Sequence, residues 1–191
     1  VVAEEQEISL IARAMRRDSE AFTALYNRYF ERIYRYARLR LDSLPDAEDV
    51  THGVFLNAWR AIDRFSPKHE ASFAAWLFRL AHNAIVDRYR HMQDTLSLEE
   101  TPSMLIPDEP IADPELNLEW RLTLQELHQA LQTLTDEQRE VVLLRFVEGL
   151  SAREVGDILG KQEGTVRGMQ FRALEALRRT LTPAREGGAY D

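Results

Sequence analysis

SAREVGDILGKQEGTVRGMQFRALEALRRTL, residues 151–181, reads as two helices joined by a tight turn. Ser151 followed by Glu154 predicts a capping box, in which the serine hydroxyl and the glutamate carboxylate each satisfy a backbone amide at the helix start. Val155, Ile158 and Leu159 then place apolar groups on one face, and Gly160 stands where a helix stop needs left-handed backbone. The second helix is expected to turn Val166, Ala173, Leu174 and Leu177 inward. Gly156 is the small residue where the helices cross, Gly160 the turn glycine and Val166 the branched core residue, which together predict a helix-turn-helix. Gly164, Arg167, Gly168, Phe171 and Arg172 point away from that core. Between 161 and 185 there are six basic residues (Lys161, Arg167, Arg172, Arg178, Arg179, Arg185) and two acids (Glu163, Glu175). A basic outward face on the second helix is what docking in the DNA major groove requires. The plainer alternative is a helical hairpin whose arginines solvate a surface; capping box, turn glycine and small crossing residue together weigh against it.

The 191 residues suffice for one domain or two small ones, and 45% hydrophobic with 29% charged residues is ordinary for a soluble globular protein. The absence of cysteine excludes disulfides, thiolate zinc sites and a cysteine nucleophile. The acidic start (Glu4, Glu5, Glu7) does not resemble a signal peptide, and no apolar run is long enough to span a bilayer, so no membrane insertion and a cytoplasmic location are expected. The net charge of −8 looks wrong for a DNA binder until it is located. Residues 1–92 carry 14 basic and 13 acidic groups, residues 120–191 carry 10 and 11, and residues 93–119 carry none and 8, so the middle stretch holds the excess.

Near the start of the chain, EISLIARAMRR (7–17) forms a short amphipathic helix. Asp18 or Ser19 caps the next, which runs to about Leu41 with Phe22, Leu25, Tyr29, Ile33 and Tyr36 or Ala37 at helical spacing. Its Arg28, Arg32, Arg35, Arg38 and Arg40 are expected to be a solvated face. Pro45 with Asp46, Glu48 and Asp49 opens a third helix carrying Val50, Val54, Phe55, Ala58, Trp59 and Ile62 and ending near Phe65. A fourth, Ser72 to about Arg90, buries Phe73, Trp76 or Leu77, Leu80 and Ala84 and leaves Arg79, His82, Asn83, Asp87, Arg88, Tyr89 and Arg90 outside. Aromatics and bases interleaved with an amide suit single-stranded nucleic acid through stacking, phosphate pairing and edge hydrogen bonds, although a core face plus a solvated face is the commoner meaning of such a helix. From Gln93 to Asn117 four prolines, no basic residue and no helical period predict an extended acidic tether. Asp113-Pro114 restarts a helix with Leu118, Leu122, Leu124 or Gln125, Leu127 and Leu131. Thr135 with Gln138 opens another, TDEQREVVLLRFVEGL, which Gly149 ends. The expectation is an all-α protein: a helical domain over 1–92, an acidic flexible linker over 93–117, a helix-turn-helix domain over 118–184 and a frayed tail over 185–191.

Three strings in this order carry a family resemblance: DAEDVTHGVFLNAWRAIDRF (46–65), FAAWLFRLAHNAIVDRYRH (73–91) and ALQTLTDEQREVVLLRFVEGLSAREVGDILG with GTVR and RALEALRR (130–179). They resemble the extracytoplasmic-function (ECF) sigma factors of bacterial RNA polymerase over residues 20 to 181, nearly the whole chain. The resemblance implies a protein that binds core RNA polymerase and directs it to promoter DNA. The first unit is similar to sigma region 2. By that similarity Asp49, His52, Gly53, Leu56 and Asn57 face the polymerase clamp. The loop from Phe65 through Lys68 to Ser72, with Trp76, Arg79, His82, Asn83, Asp87, Arg88 and Arg90, reads and melts the −10 element, a flipped base lying beside Asn83. The second unit is similar to region 4, whose recognition helix implies −35 contacts from Lys161, Gln162, Glu163, Thr165, Arg167, Gly168, Phe171 and Arg172. The linker threads toward the RNA exit channel, where a polyanion can occupy a groove made for RNA; a solubilising spacer is the other reading. An anti-sigma factor is implied as a further partner. Two departures stand out: the family usually has an amide and then a carboxylate where this chain has His52-Gly53, and Met169-Gln170 replaces a basic-then-apolar pair.

The implied mechanism uses binding energy only: base-edge contacts at the recognition helix, phosphate contacts for register, and capture of an extruded base. Near-zero charge in the second unit predicts modest affinity for free DNA, so specific recognition needs polymerase to hold both units at once. The binding-class rival is a dimeric helix-turn-helix repressor or activator, which needs a dimerisation surface. The enzyme rival invokes His82, Asp87 and His91, or Glu48, Asp49 and His52. The first set does not stack on one face, and no histidine pair has zinc spacing. No catalytic residue, metal or cofactor is expected.

Overall fold

The computed structural model describes residues 2–41, 43–66, 72–96 and 129–181, with side chains described over 6–41, 43–66, 72–92 and 129–181. The described elements are all helical and fall into two compact units, one on each side of residue 107. Lys68, residues 97–117 of the expected tether, the helix restart at Asp113-Pro114 and the tail lie outside the described residues.

The first unit contains α1 (Val2–Ala14), α2 (Ser19–Arg40), α3 (Leu44–Ala61) with a closing 3₁₀ turn (Ile62–Arg64), and α4 (Phe73–Leu96). Helix α1 stops in a Schellman motif: the Asp18 amide donates to the Arg13 carbonyl at 3.3 Å and the Arg17 amide to that of Ala14 at 2.8 Å. Arg17 takes φ of 67° at the position where glycine is usual, at a backbone cost of about 1–2 kcal/mol for an L-residue. Asp18 then caps α2, accepting from the Glu20 and Ala21 amides at 3.0 and 3.1 Å, while Arg13 Nε donates to its other oxygen at 2.8 Å. Ser43 caps α3 and Pro45 sits in its first turn. Helix α4 continues to Leu96, past the end expected near Arg90 and into the stretch read as tether.

Leu25, Tyr29, Ile33, Tyr36 and Ala37 of α2 share the core with Val50, Val54, Phe55 and Ala58 of α3 and Phe73, Leu77, Phe78, Ala81 and Ile85 of α4. Leu80 and Ala84, expected inside, are only half-buried; α4 packs against both α2 and α3, which moves its buried stripe to Phe78, Ala81 and Ile85. Phe22 and Trp59, also expected inside, are half-buried as well, their rings tilted against each other at 4.9 Å. The arginines of α2 are not a simple solvated face either. Arg40 is buried with its guanidinium 6.0 Å from the Tyr89 ring; Arg32 lies 5.2 Å from the Tyr29 ring and 5.5 Å from that of Phe78; Arg28 Nε reaches Glu7 at 3.1 Å. Guanidinium heads set near aromatic rings are attracted by the ring quadrupole, so these cations pack at the edge of the core.

Tyr29 donates its hydroxyl to Glu7 at 2.8 Å and so ties α1 to α2. Burial first, and the Glu7 carboxylate second, push its phenol above the ordinary 10.0. The Ala21 amide first, then Arg13, hold Asp18 below its ordinary 3.8. The signs are opposite. A raised phenol contributes stability that is fully present below the unfolded value and is lost as pH rises beyond it. A depressed carboxyl contributes stability present above its unfolded value and lost as pH falls below it. Urea midpoints should therefore decline above about pH 10, the unperturbed tyrosine value, and Tyr29→Phe should flatten that alkaline decline while leaving the acid one in place. An equal alkaline decline in the variant would contradict the assignment.

In the second unit, residues 129–132 are helical; α5 (Asp136–Val142) follows, continuing as a π-helical stretch (Leu143–Val147), then α6 (Ala152–Leu159) and α7 (Glu163–Leu181). Both expected capping boxes form: Thr135 with Gln138 at 3.3 and 3.2 Å, and Ser151 with Glu154 at 3.2 and 2.8 Å. Gly149 and Gly160 take φ of 72° and 64°, the left-handed stops expected of them. The π stretch was not foreseen. Its wider turn, closed by the Glu148 amide on the Leu143 carbonyl at 3.0 Å, keeps Leu143 and Leu144 fully buried and turns Phe146 and Val147 outward. Leu174, expected inside α7, is 42% exposed, and Met169 is the additional buried residue on that helix.

Candidate nucleic-acid and polymerase interfaces

In the second unit the geometry begins at Gly156. A Cβ there would lie 2.5 Å from the Lys161 carbonyl oxygen, so only glycine lets α6 approach the turn this closely. The Lys161 amide returns a bond to the Gly156 carbonyl at 2.9 Å, and Lys161 Nζ pairs with Glu137 of α5 at 2.8 Å. The turn is thus fixed from two sides, and Lys161, one of the expected DNA contacts, is engaged within the unit. With Val166, Met169, Ala173 and Leu177 buried, the turn presents Gln162, and α7 presents Glu163, Thr165, Arg167, Phe171 and Arg172 to solvent, Gly168 half-covered among them.

Arg167 and Glu163 form a local pair one turn apart, Nε and Nη2 both on Glu163 Oε1 at 3.0 and 2.6 Å. The arginine is 70% exposed, so the pair contributes little stability, roughly 0–1 kcal/mol; its effect is to hold the guanidinium fork in one orientation. Gln170, one of the two departures, is pinned: Arg145 Nε donates to its side-chain oxygen at 3.1 Å, and Arg145 Nη1 also donates to the Leu150 carbonyl. Gln170 therefore ties the recognition helix to the π stretch. The exposed Phe171 ring stands on the same face as Arg167, where an apolar group can meet a thymine methyl.

In the first unit α3 exposes Asp49, His52, Leu56 and Asn57, with Gly53 half-covered between them, along one stripe. Leu56 is 51% exposed, and the His52 ring lies 5.9 Å from that of Phe30. Nothing lies within 4 Å of a Cβ added at Gly53. Since a helix-interior glycine costs about 1 kcal/mol relative to alanine, Gly53→Ala should raise the melting temperature of this unit by about 4 °C. A drop on thermal denaturation would mean that the helix is constrained there in a way the geometry does not show.

On α4, Asn83 and Asp87 are exposed, Arg79 and His82 half-buried, and Asp87 faces Arg90 at 3.4 Å. Arg88 is diverted to Asp46 at the start of α3, at 2.5 Å, and Tyr89 donates to the Arg40 carbonyl. Phe65 and Trp76, which the resemblance places at the −10 element, are packed inward, as the helical period expects of Trp76. They are 4% and 8% exposed, ring to ring at 5.2 Å and each against Phe73, and so support the face from beneath. Among the described residues no group of His, Asp and Glu suited to a metal ion occurs, and no helix is long and apolar enough to cross a membrane. Sequence reasoning missed the partners that fix these faces, Glu137, Arg145 and Asp46, because each acts across elements far apart in the chain.

Residues 25–95 match sigma-70 region 2 and residues 130–179 match sigma-70 region 4. The chain is 31% identical to the ECF RNA polymerase sigma factor SigW of Bacillus subtilis, over 90% of its own length and 94% of that protein. It is 34% identical over 91% of its length to the ECF RNA polymerase sigma factor BldN of Streptomyces coelicolor, of which it spans 65%. Among solved structures, CnrH, determined with the cytosolic domain of CnrY, is similar at a TM-score of 0.69 and 28% identity, covering 92% of this chain and 97% of that one. RpoE of Bartonella quintana, determined with the anti-sigma factor NepR, shares the fold at a TM-score of 0.71 and 22% identity, over 86% and 98% of the two chains. The chain belongs to the ECF sigma factors of the sigma-70 family.

Proposed function

We propose that the chain binds core RNA polymerase through the exposed stripe of α3 (Asp49, His52, Gly53, Leu56, Asn57) and directs it to promoters with two elements. The −35 element is read by α7 and the −10 element is opened on the α4 face of Arg79, His82, Asn83 and Asp87. The observation that carries this reading is the helix-turn-helix closed at Gly156, with Arg167, Phe171 and Arg172 displayed together on a chain whose first unit matches region 2. The chemistry is binding alone, with no catalytic residue, metal or cofactor, and the place of action is the cytoplasm, where polymerase and promoter are. The domain division proposed is a region 2 unit over 1–92, a linker over 93–117 and a region 4 unit over 118–184. A dimeric repressor or activator leaves the first unit without a role. An anti-sigma partner belongs to the same reading, supported by the likeness to CnrH, a chain solved with a partner polypeptide.

The test is promoter selection with reconstituted polymerase. Arg167→Ala should relax preference at one −35 position by about 1–3 kcal/mol and leave −10 opening intact; Asn83→Ala should do the reverse. Gly53→Asp, which puts the family's carboxylate on the α3 stripe, should tighten polymerase binding. Unchanged −35 preference in Arg167→Ala would remove α7 as the reader.

A further inference from the structure

Arg17 combines three features that a helix stop does not need. It holds a left-handed φ of 67° where glycine would fit without strain. Its guanidinium crosses to the far end of α3, Nη1 donating to the Trp59 carbonyl at 2.6 Å, and Nη2 to the Arg60 carbonyl at 3.2 Å and the Asp63 carboxylate at 2.9 Å. The guanidinium also lies 5.5 Å from the Trp59 ring, which packs tilted against Phe22. The last carbonyls of a helix lack intrahelical partners and carry the negative end of its dipole, so a fixed cation is well placed there. Beyond them Ile62 is fully buried, the Phe65 amide returns to the Ile62 carbonyl at 3.2 Å, and the Phe65 ring closes on Phe73 and Trp76 at the start of α4. The path from Trp59 to Phe65 is therefore held at one end by Arg17 and at the other by the aromatic floor of the α4 face. Asp63, its carboxyl held below the ordinary range by Arg17, completes the clasp.

We infer that Arg17 is a positioning residue for promoter melting: its clasp on Trp59, Arg60 and Asp63 fixes the approach to the α4 face that captures the extruded base. The inference rests on the sigma-factor reading above. Capturing a flipped base requires a preorganised receiving face, because the unstacking penalty is recovered only if the face does not have to be ordered first. A residue that merely ended α1 would serve better as glycine, which separates the two roles by experiment.

The experiment uses full-length Arg17→Gly with core polymerase on two templates, a duplex promoter and the same promoter with a mismatched, already open −10 segment. Glycine relieves the left-handed backbone while removing the clasp, so the variant should stay folded and bind polymerase. It should lose roughly tenfold in initiation on the duplex, the scale of one lost charged hydrogen bond, and match wild type on the open template. Asp63→Ala should show a smaller loss with the same template dependence. Should Arg17→Gly fail to fold, Arg17→Asn, which tolerates the left-handed region, replaces it. Equal loss on both templates would overturn the inference in favour of a structural role, and full activity on the duplex would overturn it outright. Wild type inactive on both templates would instead remove the sigma-factor reading.

Discussion

Gly156→Ala is expected to abolish −35 recognition and to lower the melting temperature of the second unit by about 10 °C. The added Cβ would sit 2.5 Å from the Lys161 carbonyl oxygen, a contact no side-chain rotation relieves because the obstacle is backbone. Overpacking of this kind costs about 1–3 kcal/mol. The upper part of that range applies here, since the turn is held from behind by Lys161 on Glu137 and from within by the Lys161 amide on the Gly156 carbonyl. Relief therefore requires α7 to move, and with it the spacing of Arg167, Phe171 and Arg172 relative to α6. Thermal denaturation with −35 binding by the reconstituted polymerase checks both halves. A variant that keeps its melting temperature and its −35 preference would show that the crossing is looser than the geometry states.

Phe78→Ala should be more costly still, about 3–5 kcal/mol, a large part of the roughly 5–15 kcal/mol that holds a domain folded. The ring is completely buried, meets Tyr36 edge-on at 5.4 Å and carries the Arg32 guanidinium at 5.5 Å. Its removal leaves a cavity under α2 and takes away the surface on which Arg32 rests. Amide spectra should show the first unit unfolded or partly so at moderate temperature, with the resonances of α6 and α7 unmoved. Loss of both sets of resonances together would mean that the two units fold as one.

What was legible in the sequence was local. Capping boxes, left-handed glycines and helical periodicity are written within a few residues of where they act, and Ser151, Thr135, Gly149, Gly160 and Gly156 all occupy the positions expected of them. Errors arose where tertiary packing overrides periodicity. Helix α4 is covered by both α2 and α3, so its buried stripe lies over Phe78, Ala81 and Ile85 and leaves Leu80 and Ala84 half-buried, and the turn-widening π stretch in the second unit leaves no mark in hydrophobic spacing. The α2 arginines read as solvated because a charged residue carries no sign in sequence of the aromatic ring it will cover. In the candidate site, the exposed side chains of α7 followed from the helical wheel. The buried state of Phe65, the diversion of Arg88 to Asp46 and the tie between Gln170 and Arg145 depend on partners 8 to 42 positions away in sequence. Arg17 was the least legible of all, since its left-handed backbone stands where sequence rules expect glycine.

The most direct measurement is run-off transcription by core RNA polymerase, with and without this chain, on a library of promoter fragments. The account predicts stable binding to core polymerase and initiation at a subset of fragments sharing a −35 and a −10 element, with the chain alone binding the same DNA weakly. Failure to bind polymerase, together with tight binding of the free chain to paired half-sites as a dimer, would contradict it.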